Sequence, residues 1–405
     1  MHDWTDAMIV TRWTGVEVRL LRTEALRRTQ KEFAAISGFS LAAVCKWERR
    51  GPTITLASEF AAGMDTLLQR LDDRQRARFQ SALANVRDGS RPGTPGGDDS
   101  GRVQRSVQRV DAATIDRIRS HVCDLNASYE MEPSTSLLGQ AGQYLGQVRF
   151  LQKHAENELI RSKLLAVEAK AATLMSRLVW DASQRRDNST ANYYIDQSIS
   201  AARALGDPVA EGHALLRKIY VSLYGEKNPD SALSSTVRLL ATVQSVSREL
   251  AFVALLHQAE AFAMMGRQFE CEKALRDADG LRGRLTDGEI VMGVDAELEY
   301  NRLAGSCYLF LGQDKRAQAI LAEVSGRTGG KTDAIVMGNL SLAQIRQHRF
   351  EEGAFVLNKA IDTVEQTRGG AGLNIVFNVC REARSYRNVA ALRDVYDRVL
   401  ELMAR

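Results

Sequence analysis

Proline, cysteine and long apolar runs are scarce in this chain, and each scarcity excludes a class of structure. The chain has 6 prolines in 405 residues, and because proline costs about 3 kcal/mol inside a helix, we predict helix throughout. The five cysteines form no C-x-x-C pair, which favours reduced thiols over a disulfide framework or a zinc site. No apolar run approaches the roughly 18 residues of a membrane span, and the polar N-terminus is unlike a signal peptide. We therefore expect a cytoplasmic protein without membrane contact.

Residue patterns that carry catalysis are also missing from the sequence. The six histidines have no metal-ligand spacing, and no G-x-S-x-G segment occurs. The segment 326–332, GRTGGKT, resembles a phosphate-binding P-loop. It has three residues where four belong between the glycines and no predicted strand before it, so we interpret it as a loop between two helices. We expect no enzymatic activity, no cofactor and no metal.

Glycine and proline concentrate in one place, which marks a domain boundary. Residues 88–101 contain two prolines and five glycines, a composition that cannot hold a helix and is typical of a flexible linker. The sequence therefore predicts a first domain over 1–86, a linker over 87–109 and a second domain over 110–405.

The net charge of +4 is small for this length, but the positive charge is unevenly distributed. From Arg12 to Arg50 there are nine basic and four acidic residues. Such a local excess is typical of a phosphate-binding surface. Nucleic acid is therefore a candidate partner of the first domain.

The segment 16–51 contains an ordered set of helix caps, turn residues and apolar positions. Thr29 can cap one helix, and Gln30 in its first turn can donate to a phosphate. Gly38 permits a sharp turn before the next helix, which Ser40 can cap. Glu48 is expected to be structural, paired with an arginine of the first helix. Side chains expected to be buried recur at helical spacing: Phe33, Phe39, Val44 and Trp47.

This order of residues resembles the Cro/C1-type (XRE) helix-turn-helix family. The resemblance implies a five-helix domain, completed by helices over 57–71 and 72–86, in which the second helix of the motif enters the major groove of DNA. The resemblance and the residue types together suggest the following DNA-contacting residues: Gln30, Ser40, Leu41, Ala42, Cys45, Lys46, Arg49 and Arg50.

The predicted DNA-reading face is unusually apolar. Lys46 can reach guanine acceptors or a phosphate, whereas Leu41 and Ala42 can contact only thymine methyl groups. Arg49 and Arg50 are placed for phosphates. A minority of such domains have become protein-interaction modules, and the apolar face leaves that alternative open.

The second domain shows a recurring pattern of small and apolar residues. Positions 259, 266, 271, 275 and 278 have spacings of seven, five, four and three, and the same spacings recur over 305–324 and 341–360. They resemble tetratricopeptide (TPR) repeats, which implies an α-solenoid. Predicted helix pairs around 162–205 and 208–244 fit the pattern as divergent repeats. The last predicted pair, 371–388 with 389–405, would form a terminal cap. A plain helical bundle is the alternative.

Together, these features resemble the XRE–TPR regulators of actinobacteria. The resemblance implies an all-α transcriptional regulator that binds promoter or operator DNA as a homodimer, with a small-molecule or peptide effector in the TPR-like domain. Candidate effector contacts are Tyr194, Tyr220 and Tyr224, for which core packing is the alternative role. The alternative function is a TPR interaction protein that sequesters another regulator or a peptide and has little DNA affinity.

Overall fold

A computed structural model shows an all-α protein. It describes residues 10, 12–37, 39, 41–56, 58–69, 71–88, 112–155, 157–285, 290–291, 294–386 and 388–404. The chain divides into two compact units, Met1–Arg109 and Val110–Arg405. None of the described helices combines the length and the apolar character that crossing a membrane requires.

Five α-helices make up the described part of the first unit. Their bounds are α1 Gly15–Leu20, which continues as a π-helical turn over Leu21–Ala25, α2 Gln30–Ser37, α3 Leu41–Arg50, α4 Ser58–Gln69 and α5 Asp73–Asp88. The last two correspond to the helices predicted over 57–71 and 72–86. Because α5 extends to Asp88, the linker predicted over 87–109 begins two residues too early, and residues 89–109 of it lie outside the described residues.

The core of the first unit contains the apolar side chains that the helical spacing predicted. Phe33 and Val44 are fully buried, and Trp47 is nearly so. Trp47 packs against Phe39 and Phe60, with ring centroids 5.3 and 5.1 Å apart. Such aromatic packing adds to the free energy gained from area burial and holds the inner side of α3 against α4.

The second unit consists of successive helices joined by short connections. Their bounds are α6 Ala112–Ser128, α7 Ser134–Lys153, α8 Glu158–Ala182, α9 Asn188–Leu205, α10 Pro208–Tyr220 with a π-helical turn Val221–Gly225, α11 Pro229–Val243, α12 Arg248–Met264, α13 Gln268–Arg282, α14 Ala296–Phe310, α15 Asp314–Val324, α16 Gly330–Arg346, α17 Phe350–Thr367, α18 Gly370–Glu382 and α19 Ala390–Ala404. A two-residue antiparallel hairpin, β1 Ile290–Val291 with β2 Val294–Asp295, precedes α14 and was not predicted.

Helix breaks of the second unit have local causes. Asp207 accepts hydrogen bonds from two backbone N–H groups of the first turn of α10, and Asn228 caps α11 in the same way. Gly266 turns the chain after α12 with φ of 71°, a conformation that favours glycine. His348 occupies the equivalent turn before α17 with φ of 60°, so a non-glycine residue adopts the left-handed conformation there.

Small residues in the recurring pattern lie where helices approach each other closely. A Cβ atom on Gly305 of α14 would lie 2.6 Å from Leu321 of α15. On α16, the Ser341 hydroxyl donates to the carbonyl oxygen of Gly353 on α17 at 2.7 Å. Larger side chains at these positions would force the paired helices apart.

Helices α8, α10, α12, α14, α16 and α18 form one layer, in which each contacts the next. The last of them returns to the first: the backbone N–H of Gly370 in α18 donates to Asp181 in α8 at 2.8 Å. We call these six helices the inner layer.

The P-loop-like segment belongs to this closure. Its last residues, Gly330 to Thr332, are helical and open α16, so the loop interpretation was wrong for them. Lys331 is 3% exposed and its Nζ lies 3.2 Å from Asp181 and 2.9 Å from the Ser134 hydroxyl oxygen. The ammonium group of Lys331 is thus buried and paired with groups of the protein interior.

Candidate functional site

The start of α2 is held by a capping box. Thr29 accepts a hydrogen bond from the Glu32 backbone N–H, and the Glu32 carboxylate accepts from both the backbone and the hydroxyl of Thr29 at 2.9 Å. The two side chains satisfy N–H groups that would otherwise have no partner at this helix end. The predicted cap at Thr29 is therefore present.

Glu48, on the inner side of α3, is the centre of a polar network. The guanidinium of Arg22 donates to both carboxylate oxygens, at 2.6 and 2.8 Å, and the Gln30 amide donates to one of them at 2.7 Å. Arg19 donates to the Glu48 carbonyl oxygen at 2.9 Å. This network joins the first, second and third helices, and it confirms the expected pairing of Glu48 with an arginine near the first helix.

Ionisation of Glu48 depends on these partners. Burial by itself opposes the charged form, but hydrogen bonds from Arg22 and Gln30 outweigh it and hold the pKa of Glu48 below its ordinary value. The hydrogen bond with Glu48 raises the pKa of Arg22 in turn. The pair is therefore charged on both sides near neutral pH.

The outer side of α3 carries several of the predicted DNA-contacting side chains. Lys46, Arg49 and Arg50 are exposed and have no ion-pair partner among the described residues. Leu41 is 44% exposed, which is unusual for a large apolar side chain in a helix that also has a buried side. Cys45 is half-buried. The described outer face is thus basic toward its C-terminal end and apolar at its start.

The remaining sequence-based predictions for this region concern Gly38, Ser40, Ala42 and Gln30. Ser40 and Gly38 lie outside the described residues, as does the side chain of Ala42. Gln30 has an internal role, since its amide donates to Glu48 and its oxygen lies 3.2 Å from the Cys45 sulfur. Its contact with a DNA phosphate stays a prediction.

Sequence reasoning missed one constraint on α3. A Cβ atom on Gly15, at the start of α1, would lie 1.8 Å from the Trp47 carbonyl oxygen. Because backbone atoms cannot move aside as a flexible side chain can, α1 and α3 require glycine at this point. Gly15 follows an ordinary capping threonine, and nothing in its sequence neighbourhood indicates a close helix crossing.

Two of the three candidate effector tyrosines lie together. Tyr220 ends α10 and Tyr224 lies in the π-helical turn after it, with ring centroids 5.9 Å apart. The Tyr224 hydroxyl donates to Glu260 at 2.5 Å, and His257 Nδ1 lies 3.0 Å from the same carboxylate oxygen. Tyr194 instead packs beside a separate apolar cluster built from α6, α7 and α8. The structure therefore separates it from the pair.

The same part of the inner layer contains arginines that sequence reasoning did not single out. Arg185 lies over the Trp180 ring at 4.5 Å, and Arg217 lies over the Tyr220 ring at 4.4 Å. The one local signal for Arg217 is its spacing of three from Tyr220, which places both on one face of a helix. In a chain this rich in arginine, such a spacing alone does not stand out.

Two comparisons with known proteins, by family model and by sequence, find no relative of this chain. No protein-family model matches it, and no curated protein is significantly similar to it in sequence. The resemblances to XRE and TPR proteins rest on the residues and their spacing.

Proposed function

We propose that this chain is a DNA-binding transcriptional regulator whose first unit is a helix-turn-helix domain of XRE type. The observation that carries the proposal is the division of α3 into two sides. Trp47 and Glu48 anchor its inner side by aromatic packing and a buried ion pair, while Lys46, Arg49 and Arg50 remain exposed without carboxylate partners among the described residues. An anchored helix with a free basic side suits insertion into the major groove, which admits an α-helix.

Homodimerisation is part of the proposal, because one short helix buries too little surface to select an operator. Two-fold symmetry would place the half-sites about one helical turn apart, or a multiple of it. The second unit, with its TPR-like helix pairs, would bind an effector and change the affinity of the first unit for DNA. A sedimentation profile showing only monomer at micromolar concentration would contradict the dimer.

Fluorescence anisotropy with the upstream DNA of the gene, at two salt concentrations, tests the DNA-binding function. Each phosphate contact contributes about 0.9 to the slope of log affinity against log salt. If both side chains contact phosphates, Lys46→Ala/Arg49→Ala will lower that slope by about 2 and weaken binding to all DNA sequences. If Lys46 instead reads a base, the slope will fall by about 1 and sequence preference will relax.

A matched control separates local contacts from net charge. Lys273 and Arg276 are exposed on α13 with the same spacing as Lys46 and Arg49. Lys273→Ala/Arg276→Ala removes the same charge and should leave DNA affinity and slope close to those of the unmodified protein. No binding of the unmodified protein, either to the upstream DNA or to a genomic library, would contradict the proposal.

The second candidate function is capture of a protein or peptide by the first unit. It is favoured by two large apolar side chains, Ile36 and Leu41, which are 49% and 44% exposed at the end of α2 and the start of α3. Binding through these side chains would change little with salt, whereas DNA binding would weaken steeply. If the first unit captures a protein or peptide, Leu41→Ser would abolish that binding. If it binds DNA, the same substitution would leave the phosphate-dependent affinity largely intact.

A further inference from the structure

Three arginines on or next to the inner layer have their guanidinium carbon over an aromatic ring. Arg177 lies over Tyr129 at 3.4 Å, and Arg217 lies over Tyr220 at 4.4 Å. Arg185 lies over both Trp180 and Tyr224, at 4.5 and 5.7 Å. A guanidinium that stacks by its face keeps its N–H donors in the plane of the group. Contact with a ring through the face of the guanidinium would leave these donors unused.

Charges in this part of the inner layer do not balance. Arg302 pairs with Glu299, and Arg177 pairs with Glu130 at 2.7 Å. Arg185 and Arg217 have no carboxylate within ion-pair distance among the described residues. The nearby carboxylate of Glu260 already accepts a hydrogen bond from the Tyr224 hydroxyl. Two cations thus lack a counter-charge.

Some of the unused donors are buried. Nε of Arg177 and Nε of Arg185 are inaccessible to solvent and have no hydrogen-bond partner within the described structure. Leaving a buried donor unpaired is unfavourable, and more so when the group is charged. In natural proteins such groups are paired with protein atoms, ordered water or a bound ion, and an anion is the partner that would also neutralise the charge.

The electrostatics of Arg217 agree with this geometry. Burial lowers the pKa of Arg217 to about 10, and repulsion by Arg177 and Arg185 acts in the same direction. An arginine side chain ordinarily titrates above 12. Arg177 and Arg185 thus add positive charge near Arg217, and an anion placed there would gain from several cations at once.

We propose that the second unit binds a small oxyanion, a carboxylate or a phosphate monoester, between Arg185 and Arg217 on the inner layer. Planar guanidinium groups match the oxygens of both anions with paired N–H donors. Arg185 follows α8 and Arg217 lies on α10, so one anion would join two successive members of the inner layer. The π-helical turn next to Arg217 fits this assignment, since such turns occur frequently at functional sites. That the anion acts as an effector rests on the proposed function, whereas its binding does not.

The test is thermal unfolding of the full chain with increasing inorganic phosphate, and separately with benzoate, at constant ionic strength set with sodium chloride. A ligand that binds only the folded state raises the unfolding temperature in a saturable manner. The expected result is a saturable rise with at least one anion, with phosphate and benzoate distinguishing the two anion classes. No saturable rise with either anion would overturn the proposal.

Variants connect the effect to the two arginines. Arg185→Gln/Arg217→Gln should abolish the saturable rise, and Arg217→Lys should weaken anion affinity at least tenfold because it keeps the charge but loses the planar donors. Arg276→Gln/Arg284→Gln, at two exposed positions, should keep the full rise. An equal rise in the first double variant would overturn the proposal, because it would reflect a general effect of the anion on folding.

Two further measurements separate the proposal from a structural role and from DNA binding. Without added anion, Arg217→Gln should unfold at the same or a higher temperature than the unmodified chain, because it removes an unpaired desolvated charge. A markedly lower temperature would make Arg217 a structural residue and overturn the proposal. Lys46→Ala/Arg49→Ala should retain the anion effect even if it abolishes DNA binding, so the two proposals can fail independently.

Discussion

Glu48 in the first unit is buried and Arg217 in the second is partly buried, and the surroundings of these two charged side chains differ. Glu48 is matched by two donors of Arg22 and one of Gln30, whereas Arg217 has an aromatic face and no carboxylate among its described contacts. A complete network fixes the helix that carries it. An incomplete network keeps donors available to a ligand at the expense of stability.

The largest expected effect comes from the same substitution at both places. Arg22→Gln leaves the Glu48 carboxylate buried without its cation, which should lower the free energy of unfolding of the first unit by about 3–5 kcal/mol. Arg217→Gln should not lower the free energy of unfolding of the second unit. Urea unfolding followed by tryptophan fluorescence measures the first unit in a Trp180→Phe background, because the other three tryptophans belong to that unit. The difference in signal between chains with and without Trp180 measures the second unit. Equal losses at the two positions would break the comparison.

A second prediction concerns a complete buried pair in the second unit. Lys331→Met removes the cation beside Asp181, whose carboxylate keeps hydrogen bonds from Ser134 and Gly370. The expected loss is about 3 kcal/mol, at the lower end for a broken buried pair. Lys273→Met on the exposed side of α13 is the control and should change stability by less than about 0.5 kcal/mol. A comparable result for the two lysines would mean that the Lys331 pair is not desolvated.

The pH dependence of the first unit should follow Glu48. The pKa of Glu48 lies lower in the folded protein than in the unfolded chain, so ionised Glu48 stabilises the fold. This stabilisation is complete above the ordinary glutamate pKa of about 4.3 and is lost as the pH falls through the folded pKa. Urea midpoints measured from pH 6 downward should therefore decrease more steeply for the unmodified chain than for Glu48→Gln. Parallel curves would contradict the assignment of this acid sensitivity to Glu48.

The smallest expected effect lies at the helix cap. Thr29→Ala removes one half of the capping box at α2 while leaving the Glu48 network in place, and should cost about 1 kcal/mol. Thr29→Ser keeps the hydroxyl and should restore most of the stability in the same urea experiment. A loss as large as that of Arg22→Gln would show that the cap and the network are not independent.

Local chemistry made much of the fold predictable. Helix ends depend on proline and glycine positions and on caps such as Asp207 and Asn228, and helix faces depend on apolar spacing, as around Trp47. Each of these signals affects only the neighbouring few residues of the backbone, so the sequence predicts helix positions to a similar precision. The outer face of α3 follows from the same periodicity, because its inner face is occupied by Val44, Trp47 and Glu48. The exposed state of Lys46 and Arg49 could therefore be expected without the structure.

Contacts between distant residues were decided by the tertiary structure alone. Gly15 is required by a backbone 32 residues away at Trp47, and Lys331 meets Ser134 across 197 residues. No periodicity reports such contacts, because they depend on how helices cross and on where the inner layer closes. The same closure determines which arginines find carboxylates and which, like Arg217, do not. Sequence alone determined which residues carry charge, and only packing decided which charges are paired.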